Sequence, residues 1–198
     1  TLVQAMTGAH SLFKNYLVRG SALYRITLPT YSETLVKVLA SDDAMSYAEH
    51  DGSIYYSNGT DSGRIASDGA VYPWALPTPS APVTSNIAGT LTAGKYLVAV
   101  GYANATTGEE GGLSPSTVVT LSAAGAIRVT LPTATTGATH VKVYVSKLNG
   151  TALGLYSTVA TGTASVDITT TTTGKTGLDT YIEPMPACTN LFIHMGRL

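Results

Sequence analysis

Apolar and polar residues alternate with a period of two along much of this chain. Tyr96, Val98, Val100 and Tyr102 take every second position of Gly94-Lys95-Tyr96-Leu97-Val98-Ala99-Val100-Gly101-Tyr102-Ala103-Asn104. Successive side chains of extended backbone point to opposite sides, so these four share one face of a strand. A turn bearing Gly108, Glu109 and Glu110 follows, then Ser114-Pro115 and a second β-rich run, Val118-Val119-Thr120-Leu121. The pattern predicts a hairpin of a β-sandwich. Further strands are predicted at Ala126–Leu131, His140–Lys147, Leu153–Val159 and Ala164–Thr169. In the second of these Val141, Val143 and Val145 face one way, and Lys142, Tyr144 and Ser146 the other.

Upstream the apolar runs are shorter, and Gly, Asn, Asp and Pro separate them, which is an all-β pattern with few helix signals. Strands are predicted at Phe13–Val18, Ala22–Ile26, Thr34–Leu39, Ala44–Glu49 and Ser53–Ser57. Asp51-Gly52 and Asn58-Gly59 are hairpin signals, because a type I′ turn needs two residues tolerant of positive φ; Asn149-Gly150 marks a third. A meander of short strands is what a propeller blade looks like in sequence. Pro77, Pro79 and Pro82 then stiffen a connector, and Pro184 and Pro186 a second one. The predicted organisation is a propeller-like β-meander over residues 1–76, a proline-rich connector over 77–82, a sandwich over 83–180, and a connector with a return strand at Leu191–Ile193 over 181–198. Thr169 to Thr173 is expected to end a strand or to run extended at the surface. The apolar C-terminal run and the missing initiator Met lead us to expect an interior portion of a longer polypeptide.

Composition narrows the function classes. Charged residues make up 12% of the chain, about half the usual share, and the formal net charge is −1. This balance gives no electrostatic footprint for nucleic acid or for an anionic membrane. Lys14, Arg19 and Arg25 are the only basic residues that cluster, and they are expected to be solvated strand-end charges. Cys188 is the one cysteine, which excludes an internal disulfide or a cysteine-only zinc site; a half-buried or buried thiol is expected. No run approaches the roughly 18 apolar residues of a membrane span, and no signal peptide pattern opens the chain.

Candidate chemistry is sparse. His10, His50, His140 and His194 lack ligand spacing. Asp42, Asp43, Glu49, His50 and Asp51 form the densest acidic cluster, but alternate residues of a strand would split it between two faces, whereas a hard cation wants converging oxygens. Glu109 and Glu110 adjoin on a turn, so no paired carboxylates across a cleft are implied. A nucleophile elbow and a phosphate-cradling loop are both missing from the sequence. We therefore expect no enzyme, no cofactor and no metal. Asn58, Asn104 and Asn149 open glycosylation-type triplets, two of which the Asn-Gly turns already explain. Tyr55, Tyr56, Tyr72 and Trp74 make the candidate interface or ligand-binding set, since aromatics stack on sugars and anchor interfaces. The reading favoured for Trp74 is a plug that holds the junction of two β-domains.

Tyr96-x-Val98-x-Val100-x-Tyr102, Gly108-Glu109 and Leu113-Ser114-Pro115 resemble the fibronectin type III superfamily, as do Thr139–Ser146 and Gly154–Val159. The likeness covers residues 83–180. With the flanking hairpin Ser53–Gly59, Tyr72-Pro73-Trp74-Ala75-Leu76-Pro77 and Glu183-Pro184-Met185-Pro186, the chain resembles tailed-bacteriophage structural proteins of the short-tailed nozzle or tail-hub type. There a propeller-like β-domain carries an inserted fibronectin-like module. The resemblance implies a non-enzymatic virion component of the phage tail. Its partners would be other copies of itself in a ring and neighbouring virion proteins, with DNA passing unrecognised. It also implies an antiparallel propeller-like or meander domain interrupted by a fibronectin III or immunoglobulin-like β-sandwich. One meander cannot close a propeller, so the remainder is expected outside this chain. The alternative is a bacterial surface or secreted carbohydrate-binding module, resting on the sandwich and the aromatics.

Overall fold

A computed structural model describes residues 9–171, 174 and 186–193. The chain is all-β, with several antiparallel sheets, none closed into a barrel. It divides into two compact units, Thr1–Trp74 with Met185–Leu198, and Ala75–Pro184.

The first unit contains two four-stranded meanders rather than one. β1 (Ala9–Phe13), β2 (Tyr16–Arg19), β3 (Ala22–Thr27) and β4 (Ser32–Val38) pair in chain order. So do β5 (Ser46–His50), β6 (Ser53–Ser57), β7 (Ser62–Ile65) and β8 (Val71–Tyr72). The strand expected over Phe13–Val18 is broken in two: Phe13 pairs with Tyr16 across a tight turn in which Lys14 takes φ 54°. Asp51 and Gly52 both have positive φ, as the Asp-Gly signal requires, and join His50 to Ser53. Asn58-Gly59 behaves differently. Ser57 pairs with Ser62, so the loop has four residues, and the Asn58 side-chain oxygen accepts the N–H groups of Thr60 and Asp61 at 3.0 and 2.6 Å. This is an Asx-type turn, in which a side chain substitutes for a turn hydrogen bond.

Tyr16, Val18 and Leu23 of the first meander and Ile54, Tyr56 and Ile65 of the second share one core with Leu39 and Met45. Phe13 stacks on Tyr47 at 5.5 Å between ring centroids. Asp61 ties the meanders by accepting the backbone N–H groups of Ala40 and Ser41 at 2.9–3.1 Å. Residues 186–193 belong to this unit but form no strand, contrary to expectation. They are held by side chains instead of a backbone ladder: the N–H of Cys188 donates to Ser57 Oγ and that of Leu191 to Ser46 Oγ, each at 2.9 Å. The expected connector over 181–185, Thr172, Thr173 and His194 lie outside the described residues.

The second unit is a sandwich. β10 (Gly94–Ala103), β14 (His140–Ser146) and β15 (Leu153–Ala160) form one sheet with β11 (Glu110–Leu113) and β12 (Thr117–Leu121), which both flank β10. β9 (Val83–Leu91), β13 (Gly125–Thr130) and β16 (Ser165–Ile168) form the other, with β13 central. β9 and β10 are close in sequence yet lie in different sheets. Tyr96, Val98, Val100 and Tyr102 all point into the core, where they meet Val141, Val143 and Val145 of their own sheet and Ile127, Val129 and Ile168 of the other. Each such valine contributes about 2 kcal/mol by leaving water. The opposite face of β14 is less open than alternation implied: Tyr144 and Ser146 are buried too, and the Ser146 hydroxyl accepts the N–H of Leu97 at 2.9 Å.

Pro115 lacks an N–H and splits the strand flanking β10 into β11 and β12. Ser114 bridges the gap, since its N–H donates to Val100 O at 2.8 Å and its hydroxyl accepts from Val100 N at 3.0 Å. The expected Glu109-Glu110 turn ends one residue early, because Glu110 already pairs with Ala103.

Candidate functional site

Tyr55 and Tyr56 are neighbours on β6, so they project to opposite faces. Tyr56 faces inward and is fully buried. Its hydroxyl has no hydrogen-bond partner among the described residues, and Lys37 Nζ stands 5.5 Å from its ring centroid. Gly63, directly across the sheet, leaves the room that the ring occupies: a Cβ there would fall 2.3 Å from the Tyr56 hydroxyl. Tyr55 shares the other face with Arg64 and Tyr72, which are successive cross-strand partners. The Arg64 guanidinium carbon sits 5.6 Å from the Tyr72 ring centroid, a cation–π distance. His50 is 6.5 Å from Tyr55, ring to ring.

Trp74 is half-buried, and its indole N–H donates to Gly63 O at 2.7 Å and Tyr56 O at 3.2 Å. The aromatic set is thereby distributed over two faces of one sheet. Tyr56 belongs to the core, Trp74 fastens its segment to β6 and β7, and only Tyr55 and Tyr72 share a row. Adjacency of Tyr55 and Tyr56 was itself the sign that they diverge.

The acidic cluster does not converge: among the described residues no three His, Cys, Asp or Glu side chains could hold one ion. Glu49 pairs with Lys14 at 2.6 Å, and Asp43 accepts the Ser41 hydroxyl. Glu109 Oε1 accepts the Leu76 N–H at 3.2 Å, while Glu110 pairs with Lys142. His140 Nδ1 lies 2.9 Å from Thr139 Oγ1. Cys188 is half-buried and free, its thiol donating to Asn190 O at 3.3 Å. Arg128 and Asp167, directly opposed on β13 and β16, form a two-pronged pair at 2.7 Å, and this hydrogen bonding to Arg128 holds the Asp167 carboxyl below its usual range.

Sequence reasoning passed over two features of the first meander. The row Leu12, Leu17, Tyr24 and Leu35 runs straight across its four strands, with Leu12 48% and Leu35 52% exposed at its two ends and Leu17 fully buried between them. Beside it, a hollow of about 850 Å³ is lined by Leu12, Arg25, Ile26, Leu28 and Tyr31 among others. The signal was present at Tyr16-Leu17-Val18, where consecutive apolar residues mean a strand apolar on both faces. No protein-family model matches this chain, and no curated protein is significantly similar to it in sequence.

Proposed function

We propose that this chain is a non-enzymatic structural component of a phage particle, of the tail nozzle or hub, whose sandwich makes inter-subunit or surface contacts. The observation that carries the reading is the pair of four-stranded up-and-down meanders sharing one core, the strand order of propeller blades, in a chain interrupted by a sandwich. The carbohydrate-binding alternative needs free aromatic faces. Tyr56 is in the core, Trp74 is hydrogen-bonded to backbone, and Tyr72 lies against Arg64, so that alternative is weaker.

Quantitative mass spectrometry of purified particles from the source tests the proposal. Peptides of this chain at a fixed few copies per particle are the expected result. Their absence from particles, with the protein found in the medium or on the cell surface, overturns it.

A further inference from the structure

Arg25 is unlike the other arginines among the described residues. Arg19 is paired with Glu33, Arg128 with Asp167, and Arg64 lies over Tyr72. Arg25 is half-buried, and its guanidinium makes no hydrogen bond or ion pair among the described residues. It sits on β3 and borders two hollows, its guanidinium reaching the Gly69 wall of the smaller one, where a Cβ on Gly69 would fall 2.8 Å from Nη1. One is the apolar-walled space of about 850 Å³, to which Leu12, Ile26, Leu28 and Tyr31 contribute. The other, of about 280 Å³, is polar and adds Glu49, Ser67, Asp68 and Gly69. Lys14 and Asn15 border both.

We infer that the larger hollow is a binding site for an amphiphilic carboxylate, with its hydrocarbon or aryl body against Leu12, Ile26, Leu28 and Tyr31 and its carboxylate on the Arg25 guanidinium. The volume lies within the range of small-molecule pockets, which are mostly apolar with a few placed polar groups. A guanidinium offers two parallel N–H donors that match a carboxylate, and partial burial strengthens that bond. Lys14 is already engaged with Glu49, so among the described residues Arg25 is the cation left available at the mouth. Glu49 and Asp68 border the polar hollow and would repel a second anionic group, which favours a monoanion. The apolar wall disfavours a sugar, whose hydroxyls would lose their hydrogen bonds there. This site is independent of the virion reading and survives or fails separately from it.

The test is calorimetric titration of the whole chain with dodecanoate below its micellar concentration. Saturable one-to-one binding is expected, weakened about tenfold or more in Arg25→Gln through loss of the charge-assisted fork. Leu12→Ser should weaken it severalfold, Lys147→Gln in the sandwich should leave it unchanged, and dodecyltrimethylammonium should give no saturable binding. Equal binding of the cationic amphiphile, indifference to Arg25→Gln, or no saturable dodecanoate binding overturns the inference. If Arg25→Gln does not fold, Leu12→Ser, altered at a half-exposed position, decides together with the cationic amphiphile.

Discussion

At the scale of single residues, the buried phenols govern behaviour at high pH. Burial pushes the Tyr144 hydroxyl up to about 12, with the nearby Glu110 carboxylate adding to the effect. Burial raises Tyr47 and Tyr56 further, helped by their neighbours Tyr56 and Asp61 respectively. In the unfolded chain these groups lose their protons near pH 10. Below that pH both states are neutral there and stability is unaffected. Above it the unfolded state releases protons that the folded state retains, so stability falls from about pH 10 through 12. Absorbance at 295 nm should therefore show these phenols ionising only as near-UV circular dichroism is lost, and Tyr144→Phe should move the sandwich's alkaline transition upward. Reversible titration of every tyrosine near pH 10 in a folded chain would contradict this. Trp74 makes a second case. Removing its indole deletes two hydrogen bonds to backbone and much apolar contact, so Trp74→Ala should destabilise the first unit by about 3 kcal/mol, read from a denaturant midpoint. Unchanged unfolding together with lost ligand binding would instead make Trp74 a binding residue.

At the scale of elements, contacts that no alternation encodes decide the pairing. Asp61, 9% exposed, receives the Ala40 and Ser41 N–H groups, and its own N–H is held by Asn58. Asp61→Ala strands those donors, and a loss of about 2–3 kcal/mol is expected, confined to the meander unit in hydrogen exchange. Equal loss of protection in the sandwich would show that the contact is not local. In the sandwich, a Cβ at Gly89 would fall 2.5 Å from Ala126 Cβ and 2.7 Å from Gly125 O, where β13 shifts register against β9. Backbone cannot retreat there, so Gly89→Ala should cost about 2 kcal/mol; a variant that melts like the parent would mean that the bulge relaxes freely. These cases also show what the sequence could reveal. β10 and β14 were legible because one whole face of each is buried and apolar. β9, Val83–Leu91, was not, since only Leu91 is buried along it and its backbone ladder to β13 leaves no side-chain period. Ser62–Ile65 and Glu110–Leu113 contain glycines where close packing, not propensity, sets the strand. The aromatic set was legible as residues but not as a site, because a four-residue loop and Gly63 determine which ring the core accepts.

At the scale of the whole molecule, each unit has its own core, and the units differ in how the chain builds them. The sandwich core draws on both of its sheets and on Leu76, all within Ala75–Pro184. The meander unit is discontinuous, since Ser46 and Ser57 hold the backbone of Leu191 and Cys188 from the far end of the chain. A continuous segment of about 110 residues with a two-sided core exceeds the size at which isolated domains become marginal. Residues 75–184 expressed alone should therefore fold and unfold cooperatively by circular dichroism. Val143 is fully buried between β10 and β15, so Val143→Ala should lower the fragment's stability by about 2 kcal/mol. In the full chain the same substitution should shift the sandwich transition alone and leave Trp74 fluorescence, which reports the meander unit, on its original curve. A fragment that stays unfolded, or a full chain in which Val143→Ala moves both transitions together, would mean that the inserted segment depends on its host for stability and that insertion here joined two interdependent halves.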